Sequence, residues 1–451
     1  MLTSIENAVE VLNNFLWGWP LVIFVIATSL MGTILLKGIQ FRYFFESWKY
    51  VFKPEAGHGD KNNSMSPIQA FINTLSASIG NGSLAGMAIA VFYGGPGAGF
   101  WIFSLGFFTL VIRFLEVFAG TYFVERTPTG AVRGGPMVYL QRVPGGAVLP
   151  ALYAFFCLLL SFIGGNAMQC NSINAGLERI LSVNPYIVAA CLLLFVLYLL
   201  FGGAQRIARA AEIIIPFKVG LFFIPTLVVF AFHGHLLFDA LKLIVLSAFT
   251  SKAVMSGAMG YAIQESIRRG MSRVLNATEI GLGTSAILFG STGTKSPIRT
   301  GIMSMVTAFV SNHLVCFSLV VMLVVTGAWQ TGLNGTQMTQ AAYESVFGSV
   351  GSWIVALLTI SFGMGVLVAY AFIGRECWNY LTKGKYGMVY NLIFACMAVF
   401  GTLAKVKLVW DGIDIANAGL IVINLYALLI LLKQLRPLVL KYMRTHEDTH
   451  P

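Results

Sequence analysis

Charge is what this sequence has least of. Asp, Glu, Lys and Arg make up 10% of its 451 residues, against about 25% in a soluble domain, while hydrophobic residues make up 57%. A chain so poor in charge cannot cover a soluble surface, so its solvent is a lipid bilayer. Cysteine is scarce as well: Cys157, Cys170, Cys191, Cys316, Cys377 and Cys396 all stand in apolar stretches, with no C-x-x-C. Neither a disulfide framework nor a zinc site is indicated, and packing is their expected role. There is no H-E-x-x-H, and His313 has no acidic residue within a helical turn. An intramembrane hydrolase needs such a metal set, or a nucleophile with its base, so an enzyme is not expected and no metal or cofactor is called for. Rings of like charge and repeated carbonyl filters are missing too, which argues against a channel. The first 16 residues hold no Lys or Arg and no small-residue cleavage site follows, so the first apolar stretch is expected to stay in the mature chain.

Long apolar runs are what the sequence has in abundance. A helix crossing about 30 Å of hydrocarbon needs about 20 mostly apolar residues. Eleven such windows occur, near 17–36, 67–92, 98–124, 148–179, 185–202, 211–232, 236–268, 300–326, 350–374, 386–405 and 412–435. The fourth and seventh exceed a simple span, which predicts tilt or a break. With the N-terminus outside, all but six of the 29 Lys and Arg fall on cytoplasmic loops, flanks or the tail; the exceptions are Arg113, Arg179, Lys242, Lys252, Lys405 and Lys407. The net charge of +11 is this bias, so nucleic acid is not an expected partner. The lipid bilayer is.

The second window carries "SIGNGSLAG" at 78–86, with Asn81 between Gly80 and Gly82 in mid-span. Backbone in hydrocarbon must satisfy itself unless protein or a water-filled cavity covers it, so this run predicts a broken helix. Windows 2 to 6 and 7 to 11 form two sets of five, and five being odd, the second set runs inverted relative to the first. The seventh window opens its set with "MSGAMGYAIQES", where Gly257 and Gly260 predict a matching break. Helix ends at mid-membrane present partial positive charge to a carboxylate and partial negative charge to a cation or ammonium. The predicted ligand is a small zwitterion, accompanied by a cation. The expected organisation is an extra N-terminal helix and cytoplasmic loop (1–65), a first repeat (66–235), a second repeat (236–436) and a cytoplasmic tail (437–451).

"GGPGAGFW" at 94–101, "GGPMVYL" at 134–140, "GNAMQCNSI" at 165–173, "YAIQESIRRG" at 261–270, "GRECWNYL" at 374–381 and "DIANAGLIVINLYALL" at 414–429 resemble, in order, motifs of the alanine or glycine:cation symporters of the amino acid-polyamine-organocation superfamily. The resemblance covers about residues 67–430. It implies an all-α integral membrane protein of the leucine-transporter type, in an inner membrane of bacterial or archaeal kind, importing alanine, glycine or close relatives with sodium.

Spacings of three, three and one put Asn166, Gln169, Ser172 and Ile173 on roughly one helical face. Gln169 is expected in a substrate pocket with Ser78, Gly80, Asn81, Gly82, Gly165, Asn166, Gly257 and Tyr261. Asn171 and Ser172 are expected to tie helices together. Arg113 and Glu116, three apart, are expected to neutralise each other. Ile79 and Gly82 are assigned to the ion or proton site. The chain also departs from the family it resembles. "MSRVLNATEIGLGTS" is about four residues longer than the usual signature, with Thr278 where Asn is expected. Gly365 and Val366 replace a customary hydroxyl pair and Ser311 a customary acid, leaving Thr359 and Ser361 as replacement ligands. Lys218 follows Pro216 and Phe217, where an apolar residue is usual. Two readings stay open for it: it reaches the cytoplasmic surface, or, as a lysine does in sodium-independent members of the superfamily, it takes the place of sodium and exchanges a proton.

Overall fold

The structure, a computed structural model, describes residues 17, 19–53, 65–127, 130–181, 183–249, 275, 277–404 and 406–447. Among these the regular secondary structure is helical except for one two-stranded ribbon, β1 (Glu125–Arg126) with β2 (Val132–Arg133). The helices are α1 (Trp19–Leu35), α2 (Phe44–Phe52), α3 (Pro67–Ser78), α4 (Asn81–Gly94), α5 (Ala98–Tyr122), α6 (Leu149–Phe162), α7 (Met168–Leu181), α8 (Pro185–Phe201) and α9 (Gly203–Phe232). They continue with α10 (Leu237–Phe249), α11 (Thr284–Gly290), α12 (Pro297–Phe309), α13 (Phe317–Val325), α14 (Thr336–Phe347), α15 (Ser349–Thr382), α16 (Gly387–Leu403) and α17 (Val406–Glu447). Among the described residues six spans are long and apolar enough to cross a bilayer, seven counting α3 with α4 as one bent pair, and α1, α8 and α16 are shorter apolar helices. The protein is a multi-pass membrane protein.

Local chemistry explains where the helices start and stop. Pro67 sits in the first turn of α3 behind a capping box: the Ser66 hydroxyl accepts from Gln69 N at 3.2 Å, and Ser66 N donates to Gln69 Oε1 at 3.0 Å. The helix stops at Ser78, α4 restarts at Asn81, and the two differ in direction by 41°. Gly80 is required at the corner because a Cβ there would lie 2.6 Å from Val366 Cγ2. The long fourth window resolves into α6 and α7 joined by a π turn at Ile163–Ala167, and a second π turn, Val310–Cys316, joins α12 to α13.

The seventh window is described in α10 as far as Phe249, and Gly257 and Tyr261 lie outside the described residues. Two differences from the sequence reading stand out. Helix α14 is unforeseen; its mixed composition hid it from a search for apolar runs, and it lies against α15 and α4. Helix α17 is longer than the eleventh window, 412–435, and runs past Pro437 to Glu447.

Candidate functional site

Lys218 of α9 reaches the break between α3 and α4. Its side chain is fully buried, and Nζ donates to Ser76 O at 2.9 Å and Ile79 O at 2.7 Å. Ser76 lies in the last turn of α3 and Ile79 caps its C-terminus, so both carbonyls have lost the helix that would have continued past the break. The surface-seeking reading of Lys218 is therefore wrong: α9 packs against α3, and the ammonium finds the helix end before it finds water. Room for it comes from Gly365 of α15, where a Cβ would stand 2.7 Å from Nζ and 2.9 Å from Ser76 Oγ. Ser76 Oγ donates to Gly365 O at 2.8 Å, and Ser311 Oγ donates to Ser78 O at 2.8 Å and Ala277 O at 3.4 Å.

A second discontinuity faces the first. Glu279, Gly281 and Gly283 all have positive φ (56°, 89° and 78°), and α11 begins directly after them. Arg113 Nη2 donates to Thr278 O at 2.5 Å, and Glu116 Oε1 accepts from Gly283 N at 2.9 Å and Asn424 Nδ2 at 2.7 Å. Tyr153 OH donates to Leu282 O at 2.6 Å, and Tyr139 OH to Asn424 Oδ1. Arg113 and Glu116 do lie in ion-pair range at 3.8 Å, but their shorter contacts hold this loop.

Between the two discontinuities lies a cavity of about 60 Å³. Gly80, Gly82 and Ser83 line one side, Met168 and Gln169 another, and Glu279, Val366, Tyr370, Asp414 and Asn417 close it. Gln169 Oε1 accepts from Asn81 N at 3.4 Å and its Nε2 donates to Gly164 O at 3.0 Å. Glu279 accepts from Tyr370 OH at 2.6 Å on one oxygen and from Thr284 Oγ1 at 2.9 Å on the other. The Asn81 amide is buried beside the break, and neither of its side-chain polar atoms has a partner among the described residues.

Of the residues expected to meet substrate, Gly80, Gly82 and Gln169 line this cavity and Asn81 borders it. Ser78 contributes a carbonyl to Ser311 and bonds its own hydroxyl to Thr74 O at 3.0 Å. Asn166 does not line the cavity. It sits in the π turn, which shifts the helical phase, and its Nδ2 donates to Phe394 O at 2.6 Å. Gly165 in the same turn faces the Tyr370 ring, which a Cβ would overlap. Thr359 and Ser361 donate to Val355 O at 2.8 Å and Leu358 O at 3.0 Å, so both hydroxyls are used within α15. Asn171 ties α7 to α16 through Gly401 O at 3.0 Å. Glu279 and Tyr370 escaped the sequence reading. The available signal was an acidic residue beside a G-x-G in an apolar chain, an intramembrane ionisable group by position.

Helices that break inside a membrane around a cavity bearing a few convergent polar groups define a solute carrier. The sodium:alanine symporter family model matches residues 2–450, and the chain belongs to that family. It is 32% identical over 430 residues to an uncharacterized transporter of Haemophilus influenzae, covering 94% of this chain and 93% of the relative. It is 29% identical over 436 residues, 94% of each chain, to the sodium/alanine symporter AgcS of Methanococcus maripaludis. With YrbD of Bacillus subtilis, described as a putative sodium/proton-dependent alanine carrier, it shares 28% over 441 residues, 94% of this chain and 89% of the relative. These relatives are transporters, not enzymes.

Proposed function

We propose that the protein imports a small neutral amino acid, of alanine or glycine size, by alternating access, and that the Lys218 ammonium at the α3–α4 break takes the place of a free co-transported cation. The observation carrying this reading is Lys218 Nζ bonded to both Ser76 O and Ile79 O. The zwitterion reading rests on the opposed polarities of the cavity. The first amides of α4 favour a carboxylate, while Glu279 and the Gln169 carbonyl favour an ammonium. Sodium coupling is the second reading, favoured by the name of AgcS. The discriminating experiment is uptake of labelled alanine and glycine into proteoliposomes under separate sodium and proton gradients. Uptake driven by protons with sodium replaced by choline supports Lys218; strict sodium dependence rejects it.

In this reading the chain crosses the membrane eleven times, as one helix and two inverted sets of five, with the N-terminus outside and the C-terminus inside. Single cysteines at Arg42 and Lys383 should then react with impermeant maleimide only after the cell is opened. Labelling at Arg42 in intact cells would reject the inverted repeat.

Gln169→Ala and Asn81→Leu are expected to weaken substrate binding about ten- to hundredfold, the range for losing a hydrogen bond to a charged group, while leaving expression near normal. Scintillation proximity binding on purified protein reads the first quantity and fluorescence-detected size exclusion the second. Unchanged binding in both variants would reject the site assignment.

A further inference from the structure

Three polar residues of α3 share one face. Gln69, Asn73 and Ser76 are spaced by four and three, a stripe running about 10 Å from the first turn of the helix to its break. The stripe meets α9 at both ends. At the start, Gln69 Nε2 donates to Glu212 Oε1 at 3.0 Å, and Glu212 is exposed. At the break, Ser76 O accepts from Lys218 Nζ at 2.9 Å. Six residues, about 9 Å of helix, separate Glu212 from Lys218, so α3 and α9 run side by side in the same direction and the stripe joins the two charged groups. Asn73 stands in its middle. Its Nδ2 donates to Gln69 O at 2.9 Å, while its Oδ1, on a fully buried side chain, has no partner among the described residues. The neighbouring Thr74 hydroxyl is likewise buried and without a partner among them. Orphaned polar atoms at that depth are costly unless water reaches them.

We propose, building on the reading that Lys218 exchanges a proton, that Asn73 is the positioning residue for its departure: Asn73 Oδ1 holds the water that takes the proton from Nζ, and Glu212 hands it to solvent. One N–H bond of the ammonium breaks, leaving a neutral amine, and one O–H bond forms on water. The proton then passes to the Glu212 carboxylate and from there to bulk water. Amides neither gain nor lose a proton in these steps, so Gln69 and Asn73 only orient water, and Glu212 is the member of the line that carries the proton itself. Two cations, Lys53 and Arg299, stand by Pro67 at the start of α3, and the charge of Glu279 acts on Lys218 from the cavity side. With the N-terminus outside, the line from Lys218 to Glu212 leads to the cytoplasm, the side to which an imported proton is released.

Net uptake and exchange separate this role from a packing role. Exchange of external for internal alanine shuttles the loaded, protonated carrier, whereas uptake driven by a proton gradient needs the proton to leave in every cycle. In proteoliposomes of the full chain, Asn73→Leu should slow proton-driven alanine uptake about tenfold, the scale of one hydrogen bond in a proton-transfer step, and leave exchange within about twofold. Asn73→Ser, whose hydroxyl supplies an acceptor again, should restore uptake. Glu212→Gln keeps an oxygen for Gln69 but cannot carry the proton, and should slow uptake at least about threefold with exchange intact. At an exposed position, it keeps the test valid if Asn73→Leu fails to fold. Proton-driven uptake unchanged in either variant overturns the proposal and leaves the Lys218 reading standing. Exchange that falls as far as uptake marks a packing defect and also overturns it. A parent protein without proton-driven uptake rejects the Lys218 reading itself, and the departure route with it.

Discussion

Lys218→Met should reduce amino-acid uptake on the order of a hundredfold while leaving the protein in the membrane. The substitution keeps most of the apolar stem but leaves Ser76 O and Ile79 O without their donor. A hydrogen bond to a charged group contributes about 1.5 to 3 kcal/mol, and two are lost together, at the point where the first helix must stay broken. Sodium should not rescue this variant, because the methionine still fills the space. Lys218→Ala combined with Gly365→Ser is the sharper version. It removes the ammonium and places a hydroxyl where Cβ would have met Nζ at 2.7 Å, creating a pocket of two carbonyls and one hydroxyl, hard oxygen ligands suited to an alkali cation. Gly365→Ser alone should be destabilising by about 1 to 3 kcal/mol through overpacking against the ammonium. The pair should instead acquire sodium-dependent uptake. Proteoliposomes with sodium or choline outside measure both outcomes. An unmodified protein that requires sodium, together with a Lys218→Met variant that still responds fully to a proton gradient, would dispose of the lysine role.

The first break was legible because its residues are wrong for a span. Gly80 and Asn81 are poor helix formers in a segment that lipid should have kept helical, and the structure stops α3 at Ser78 and restarts at Asn81. The break expected at Gly257 and Gly260 lies outside the described residues, while the discontinuity at Glu279–Gly283, which supplies both a carboxylate to the cavity and three positive-φ positions, read in the sequence only as a departure from a family signature. Side-chain direction was the other limit. Spacing alone set Asn166 beside Gln169, and the π turn that holds Asn166, invisible to a 3.6-residue period, sends its amide to Phe394 O and leaves Gln169 at the cavity. Lys218 shows the same limit from the opposite side. Its depth in the membrane was open from sequence because it depends on how α9 packs against α3.

Arg113→Leu or Glu116→Leu, made singly, should be among the most destabilising substitutions in the chain, about 3 to 5 kcal/mol, because each leaves an uncompensated buried charge. Both side chains are fully buried and 3.8 Å apart, so neither can turn to water when its partner goes. Removing both should recover part of that loss, since the leftover charge disappears with its partner. It should not recover all of it. Thr278 O would still lack the Arg113 donor, and Gly283 N and Asn424 Nδ2 would still lack the Glu116 acceptor, so the loop between Glu279 and α11 would keep its cavity-facing carboxylate but not its frame. The double variant is therefore expected to melt closer to the parent than either single variant does, yet to bind substrate weakly. Thermal unfolding in detergent and substrate binding on the surviving folded fraction measure the two effects separately. A double variant as unstable as the sum of the singles would show that the pair does not act as a unit, and one that binds substrate normally would show that the loop needs neither residue.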